Sequence, residues 1–423
     1  MSSTNRIEFT AKMKNEYTIL VPNMAPIHFG LLRNVFVNRG YKMEILQNSG
    51  RSVVDAGLKY VHNDICYPAL LVIGQFIDAL SSGRYDTGKV ALMITQTGGG
   101  CRASNYIHLL RKALAKAGFP NVPVISLNFA GLEKNSGFRL TLPVIRMAVA
   151  ALAYGDLLMS LDNQTKPYEV NRGDSAAAVA KWQNILSGYL ANGKGCFVKD
   201  VKRISKRISA DFDSIPVKKT PKIRVGIVGE IYVKYSSLGN NDLESFLFEQ
   251  GCEVCVPGIL GFAMYAADNT VIGYGLYGGN PFFRAVAGAA RKYLYAFERA
   301  IAKSTEGCRN VTYYGDYEQT KALASEVIGL GCKMGEGWLL PGEMLELIEN
   351  GFPNIVCAQP FGCLPNHIVG KGVIRSIRSG HPDANIVPID YDTGATRVNQ
   401  ENRIKLMLAV AKERLEAGDG GSK

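Results

Sequence analysis

The sequence predicts an α/β fold of two Rossmann-like domains, each with a mostly parallel sheet and helices on both faces, and with an active cleft between them. Strand-like apolar runs alternate with helix-like stretches along the whole chain. The 423 residues exceed what a single core usually serves. The alternation of strands and helices also starts again at Ile223, after the charged stretch SADFDSIPVKKTPK. We therefore predict one domain over residues 1–215 and a second over residues 216–423.

The first half contains four predicted strands, with the sequences YTILVP, KMEIL, VALMIT and VPVISL. Helices are predicted at PIHFGLLRNVFVNRG, CYPALLVIGQFIDALSSG and ASNYIHLLRKALAKAG. A long helical region comes next, over roughly residues 139–161. Because the strands alternate with helices, their connections predict parallel pairing.

The second half repeats this plan, although no fixed-period repeat is visible. It opens with the apolar strand run IRVGIVGEIYV and the capped helix NNDLESFLFEQG. The later elements are a strand at NIVCAQ, a helix near 366–379, a strand at NIVPIDYD and a final helix over about 397–417. Ligands of open α/β sheets bind beyond the carboxyl ends of the strands, so the residues directly after strands are the first candidates for a site.

Composition and charge restrict the class of protein. The net charge is +11, but the lysines and arginines are scattered, which favours an enzyme with anionic substrates or an acidic partner over a nucleic-acid binder. No apolar run has the length of a membrane span. The N-terminal segment MSSTNRIEFTAKMKNEY is polar and has no signal-peptide core, which predicts a cytoplasmic protein.

The chain has nine cysteines, and an odd number in a cytoplasmic protein argues against a disulfide framework. No pair of CxxC motifs with zinc-site spacing is present. Cys252 and Cys255, in GCEVCVPG, fall within a predicted strand and are expected to be core residues.

Three other cysteines are placed differently. Cys101 follows Gly98–Gly100 in TQTGGGCRASNY, between a strand and a helix. Cys66 stands just before Pro68, and Cys363 lies in a Pro/Gly turn after a strand. All three are at or near helix N-termini, where the helix dipole favours a thiolate.

Three thiolates at one cleft predict a metal site, and soft sulfur ligands suit iron–sulfur chemistry. Three protein ligands would leave one metal position open for substrate. The alternative from spacing alone is three unrelated buried cysteines. Gly99 and Gly100 would permit close approach of a cofactor, and Arg102 would neutralise an anionic group.

Four segments resemble a known family: HNDICYPALLVIGQ, ITQTGGGCRASNY, VGEIYVKYSSLGNNDLESFL and QPFGCLPNHIVGKGVIRSIR. They are similar to the iron–sulfur domain of the 2-hydroxyacyl-CoA dehydratase and activase-related superfamily, and most like the C-terminal module of the large activase-related proteins. The resemblance covers almost the whole chain.

This resemblance implies an oxygen-sensitive 4Fe–4S cluster between two Rossmann-like domains, with Cys66, Cys101 and Cys363 as ligands. It also implies a separate ATP-hydrolysing activase that supplies single electrons at low potential, and a homo- or heterodimer. Related proteins hold a larger double-cubane cluster, for which Cys357 and then Cys332 would be further ligands. The chain itself has no phosphate-binding GxxxxGK[ST] loop, so we expect no ATP hydrolysis by the chain alone.

Several other polar residues are candidates for catalysis. Glu230 and Lys234 lie in or just after the first strand of the second half. They could form a charged pair that acts in proton transfer or substrate binding, or an ordinary ion pair at the strand end. His367 could donate a hydrogen bond to a cluster sulfide, protonate a leaving group, or face solvent at a helix start. Gln96 and Asn63 could bond near the sulfurs, and Glu343 is expected to support the first turn of a helix.

The predicted function is radical reduction or dehydration of a small substrate, such as a CoA ester, with electrons from the activase. The alternatives are an electron-transfer or binding module without its own substrate, and a structural subunit. The residues do not identify the substrate.

Overall fold

The structure is a computed structural model, and it describes residues 6–62, 65–95, 100–127, 133 and 135–419. The first half supplies α1 to α8 and β1 to β4. In chain order these are α1 Met13–Glu16, β1 Thr18–Val21, α2 Pro26–Val37, β2 Lys42–Ile45, α3 Arg51–Tyr60, α4 Tyr67–Ser81, β3 Val90–Thr95, a 3-10 helix Arg102–Asn105, α5 Tyr106–Lys116, β4 Val124–Leu127, α6 Leu142–Thr165, α7 Asp174–Ala191 and α8 Val198–Asp213.

The second half supplies the remaining elements. They are β5 Arg224–Gly229, α9 Ile231–Tyr235, α10 Ser237–Asn240, α11 Leu243–Glu249, β6 Glu253–Cys255, α12 Ile259–Tyr277, α13 Pro281–Ala302, α14 Tyr317–Val327, α15 Leu339–Glu349, β7 Asn354–Pro360, a π-helix Asn366–Lys371, α16 Ile374–Gly380, β8 Asn385–Tyr391 and α17 Arg397–Asp419.

These elements build two four-stranded parallel sheets flanked by helices, so the predicted α/β class is confirmed. The strand orders are β2-β1-β3-β4 and β6-β5-β7-β8, which are the same order in the two halves. All seven residues of β7 are buried, as expected for a parallel strand covered on both faces.

In each sheet the second strand lies on one side of the first strand, and the third and fourth strands lie on the other side. The order of the strands therefore changes direction between the first and the third strand. This reversal creates a crevice at the carboxyl ends of β1 and β3 and another at those of β5 and β7. The residues directly after these four strands therefore have the best position for binding a ligand.

The two sheets fall on either side of the division predicted at residue 215, which itself stays a prediction. Helices α6 and α8 of the first half pack against α13 of the second half, and α6 also packs against α12. One core cluster joins Leu92 of β3 to Val225 of β5, and another joins Trp182 to Phe297. The two halves are thus held together by shared apolar cores.

Helix α6 is the one helix, within the described part of the chain, that is long and apolar enough to cross a membrane. Most of it is buried against other helices, and core helices of globular proteins meet the same criterion.

The predicted first strand of the second half is too long. The strand ends at Gly229, and residues 231–235 form the short helix α9 instead. Gly229 has φ 145°, and a Cβ there would lie 1.9 Å from the carbonyl oxygen of Ala358, so the chain can leave the sheet only with glycine at this position.

Candidate functional site

Cys101 and Cys363 occupy equivalent places in the two halves. Cys101 lies beyond β3 and directly precedes the 3-10 helix, and Cys363 lies in the turn beyond β7. Because β3 and β7 are the third strands of two identically ordered sheets, the predicted placement of these two thiols at strand ends is confirmed.

Cys66 does not follow a strand. It occupies the N-cap position of α4 and comes after helix α3, so the prediction of an equivalent strand–helix junction is wrong for this cysteine. The segment between the two helices contains no strand in its described residues, and Pro68 fixes the first turn of α4. The Cys66 Sγ is 2.8 Å from the Tyr106 Oη at the start of α5.

The three thiols converge on one region. Cys66 interacts electrostatically with both Cys101 and Glu230. Cys101 and Cys363 each interact with the same two carboxyl groups, Glu230 and Glu336. The site therefore combines the end of β3, the start of α4 and the turn after β7 around a pair of carboxyl groups.

Glu230 lies in the crevice between β5 and β7, directly after β5. Its side chain caps α9, since Oε2 accepts a hydrogen bond from the Val233 N–H at 2.9 Å. Desolvation by the surrounding protein and repulsion from Glu336 raise the pKa of Glu230 well above its usual range. Desolvation also raises the pKa of Glu336, which is buried. The pair therefore retains a proton at neutral pH.

Lys234 forms a buried ion pair, but not with Glu230. Its Nζ lies 2.9 and 3.1 Å from the two carboxylate oxygens of Glu343, and both side chains are 4% exposed. The expectation that Glu343 supports a first helical turn is wrong, because Glu343 is the fifth residue of α15 and points at Lys234. The Lys234 charge also interacts favourably with Glu230 and Glu336.

The loop Cys332–Gly337, here called the bridging loop, connects the cysteine-bearing segments. A Cβ on Gly100 would lie 2.8 Å from the Met334 Sδ, and a Cβ on Gly335 would lie 2.8 Å from the ring of Pro365. Glu336 accepts hydrogen bonds from the Ile231 N–H at 3.0 Å and from the Asn366 Nδ2 at 3.4 Å. One loop thus contacts the neighbours of Cys101, Glu230 and Cys363.

Sequence reasoning missed Met334, Glu336 and Asn366. The sequence held one signal for Glu336, namely its position between two glycines. In the structure Gly335 has φ 60° and Gly337 has φ 43°. Residues other than glycine rarely adopt positive φ values. Two glycines around an acidic residue therefore indicate a loop with a constrained backbone.

Side chains beside Cys363 hold its turn in place. The Asn366 Nδ2 is 3.3 Å from the Cys363 Sγ, while the Asn366 Oδ1 is buried and has no hydrogen-bond partner among the described residues. His367 accepts a hydrogen bond from the Gly362 N–H at its Nε2, 3.2 Å away, and is partly exposed. Nε2 therefore supports the turn in this arrangement.

The remaining candidates are two further cysteines, Arg102, and three residues whose structure is not described. Cys357 is fully buried in a core cluster with Val228 and Met344, while Cys332 is exposed in the bridging loop. Arg102 is exposed at the first position of the 3-10 helix. Gly99, Gln96 and Asn63 lie outside the described residues.

All three thiols are neutral at physiological pH without a bound metal. Burial raises the pKa of Cys66 to about 11, against the opposing effect of the Tyr106 hydrogen bond. Burial likewise raises the pKa values of Cys101 and Cys363. The predicted thiolate character at the helix N-termini is thus outweighed by desolvation, and a metal would have to displace the protons.

Sulfur donors are the ligands that iron–sulfur clusters use, and such a cluster stays a prediction for this site. Among the described residues, no three His, Cys, Asp or Glu side chains surround a position for one metal ion. A 4Fe–4S cube instead needs sulfurs roughly 6 to 7 Å apart, as expected from metal–thiolate bonds of about 2.3 Å. Three convergent thiols would suit such a bulky polar group, as would the Asn366 Oδ1, which has no partner in the described part of the chain.

Comparison of the chain with protein-family models and with curated proteins finds no match. The family resemblance therefore stays a prediction from the four motifs, and the support for a function comes from the site.

Proposed function

We propose that the chain is an iron–sulfur protein that holds a 4Fe–4S cluster through Cys66, Cys101 and Cys363. It would accept low-potential electrons from a separate ATP-hydrolysing activase and act in radical reduction or dehydration of a small substrate, such as a CoA ester. The observation that carries this proposal is the convergence of thiols from three separate segments around Glu230, two of which, Cys101 and Cys363, also interact with Glu336. The cluster would supply single electrons at low potential.

The protein's own groups prepare the thiols as ligands. Tyr106 hydrogen bonds to Cys66, and Asn366 bonds to Cys363. These contacts select one rotamer of each thiol, and they can stabilise the thiolate once its proton is lost. The bridging loop then fixes the distance between the segments that carry Cys101 and Cys363.

Glu230 and Glu336 would handle protons in this reaction. Because the pair retains a proton at neutral pH, it adds less negative charge beside an anionic cluster than two carboxylates would. The same proton is available to a leaving group, which is the role of a general acid. The positive charge of Lys234 favours the ionised form of both carboxyl groups, so it would help the pair to release that proton.

An anaerobic reduction experiment tests this proposal. The chain is reconstituted with iron and sulfide, and its EPR spectrum is recorded after incubation with an activase, with and without ATP. We expect a visible iron–sulfur absorption band and an EPR signal that requires both activase and ATP. Reconstituted protein that carries no iron, or that is reduced equally well without ATP, would contradict the proposal. Turnover of a 2-hydroxyacyl-CoA under the same conditions then separates an enzyme from an electron-transfer module.

A further inference from the structure

A basic groove lies at the edge of the second sheet, between α16 and β8. It has a volume of about 550 Å³ and is open to solvent on one side. Three cationic side chains line it, and they are those of Lys371, Arg375 and Arg378. Within the described part of the chain, no carboxylate lines it. A concave surface with one sign of charge concentrates ligands of the opposite sign, so the groove favours an anion.

The three cations lie on one face of the helical segment that follows Cys363. Lys371 is the last residue of the π-helix, and Arg375 and Arg378 follow it on α16 at spacings of four and three residues. Residues at these spacings are neighbours on a helix surface. All three are exposed, and none of them has an ion-pair partner among the described residues. Their charges are therefore available to a ligand.

Arg378 is held in a fixed position beside the groove. Its Nη2 donates a hydrogen bond to the Ile386 carbonyl oxygen at 2.7 Å. A guanidinium group presents its N–H donors in a planar fork that matches the oxygens of a phosphate. Because one bond already fixes this fork, the other donors of Arg378 lose little conformational entropy when they bind a phosphate.

The floor of the groove is apolar and includes part of an edge strand. Ile374, Ile386 and Pro388 line it, and β8 is the last strand of its sheet. The Ile386 carbonyl at the open edge already accepts the Arg378 bond, and Pro388, two residues further along the same edge, has no N–H to donate. This edge is therefore unsuited to pairing with another peptide strand. A small ligand with an apolar portion fits the floor better.

The charge and the size of the groove together fit a nucleoside diphosphate. A diphosphate carries about three negative charges at neutral pH, because the second ionisation of a terminal phosphate has a pKa of about 6. The three cations of the groove balance this charge. The groove also has the volume of a small-molecule site, for which about 300–1,000 Å³ is usual, whereas a phosphate ion alone would leave most of it empty.

We propose that this groove binds a nucleoside diphosphate, with the phosphate groups on Lys371, Arg375 and Arg378 and the base on the apolar floor. The side chains would take the place of the phosphate-binding glycine loop that the chain lacks, so we expect the nucleotide to be bound and not hydrolysed. The other lysines and arginines are scattered along the chain, which favours this small ligand over a nucleic acid. The proposal does not depend on the iron–sulfur site, since none of its residues is a predicted ligand.

Isothermal titration calorimetry of the full chain without a cluster tests the proposal, with ADP as the probe. We expect one saturable site per chain that binds ADP at least about tenfold more tightly than AMP or pyrophosphate, and less tightly at high salt. Arg375→Gln and Lys371→Gln should each weaken ADP binding about tenfold or more, because a hydrogen bond between charged groups contributes at least such a factor.

The matched control is Arg39→Gln, which removes the same charge from an exposed arginine after α2. It should bind ADP like the wild type, and circular dichroism should show all variants to be folded. A wild type that binds no ADP up to about 1 mM would overturn the proposal, as would wild-type affinity in both groove variants. Tighter binding of coenzyme A than of ADP would overturn it in favour of a substrate subsite. Tighter binding of a single-stranded oligonucleotide would overturn it in favour of a nucleic-acid surface.

Discussion

The two halves share one sheet order but differ in the residues that come after their first strands. In both halves the third strand leads to a thiol, Cys101 after β3 and Cys363 after β7. The first strand of the second half leads to Glu230, whereas β1 ends at Val21 and leads to Pro22 and Asn23. The same scaffold therefore positions sulfur in both halves and an acid in only one.

The difference extends to the surroundings. The second half also contributes Glu336, the Lys234–Glu343 ion pair and Asn366, all on loops and helices around β5 and β7. The first half contributes Tyr106 and the close approach of Gly100 to Met334. Ligand placement thus depends on topology, while proton handling depends on segments that are specific to one half.

The largest expected effect concerns the buried ion pair of the second half. Lys234→Met leaves the Glu343 carboxylate buried without its partner and should lower the free energy of unfolding by about 3–5 kcal/mol. The double variant Lys234→Met/Glu343→Leu should recover much of that loss. Chemical denaturation followed by circular dichroism measures both.

The first half offers a matched ion pair, in which Arg111 bonds to Glu133 with two contacts of 2.7 Å. These side chains are more exposed, at 11% and 14%, so Arg111→Met should cost clearly less. Equal losses for the two variants would show that the acidic environment of the second half has no special energetic role.

The pH dependence of stability should also come mainly from the second half. Burial raises the pKa values of Glu298 and Glu346 to about 8, so the folded protein holds protons that the unfolded chain releases above its ordinary carboxyl pKa. The free energy of unfolding should therefore fall as pH rises from about 4.5 to about 8, by up to about 5 kcal/mol for each group.

Glu346→Gln should remove part of this decline while keeping the bond that the side-chain oxygen accepts from the Asp316 N–H. The comparison variant is Glu8→Gln, at an exposed carboxyl group of the first half whose pKa is lowered by the Ser136 hydrogen bonds. Denaturation curves between about pH 5 and about pH 8.5 test the slope, and an unchanged slope for Glu346→Gln would contradict the assignment.

A smaller effect is expected where the halves meet at the site. Gly100→Ala places a methyl group against the Met334 Sδ, but this side chain is half-exposed and can move, so we expect a destabilisation of less than about 1 kcal/mol. Met334→Ala should relieve this clash, so the double-mutant cycle should show coupling. Gly188→Ala on α7 is the control, because its new methyl group meets open space and should stabilise the helix slightly. Additive effects at Gly100 and Met334 would show that the two residues do not touch in solution.

Sequence reasoning predicted the parts of this site that depend on local pattern. The positions of Cys101 and Cys363 were readable from the apolar strands before them, and that of Glu230 from the end of β5. It did not predict that Lys234 bonds to Glu343, because the partners are 109 residues apart and no pattern of either segment encodes their contact. The bridging loop was missed for the same reason, since its contacts with Gly100 and Pro365 exist only in the folded chain.

Iron content after anaerobic reconstitution tests the central claim most directly. Wild type and the variants Cys66→Ala, Cys101→Ala, Cys363→Ala and Cys252→Ala are reconstituted side by side, and iron and sulfide are measured per chain. Cys252 is the control because it is fully buried in the core cluster that joins Leu92 to Val225. We predict about four irons in the wild type and in Cys252→Ala, and a large loss in each of the other three. Wild-type iron content in all three, or no iron in the wild type, would contradict the account.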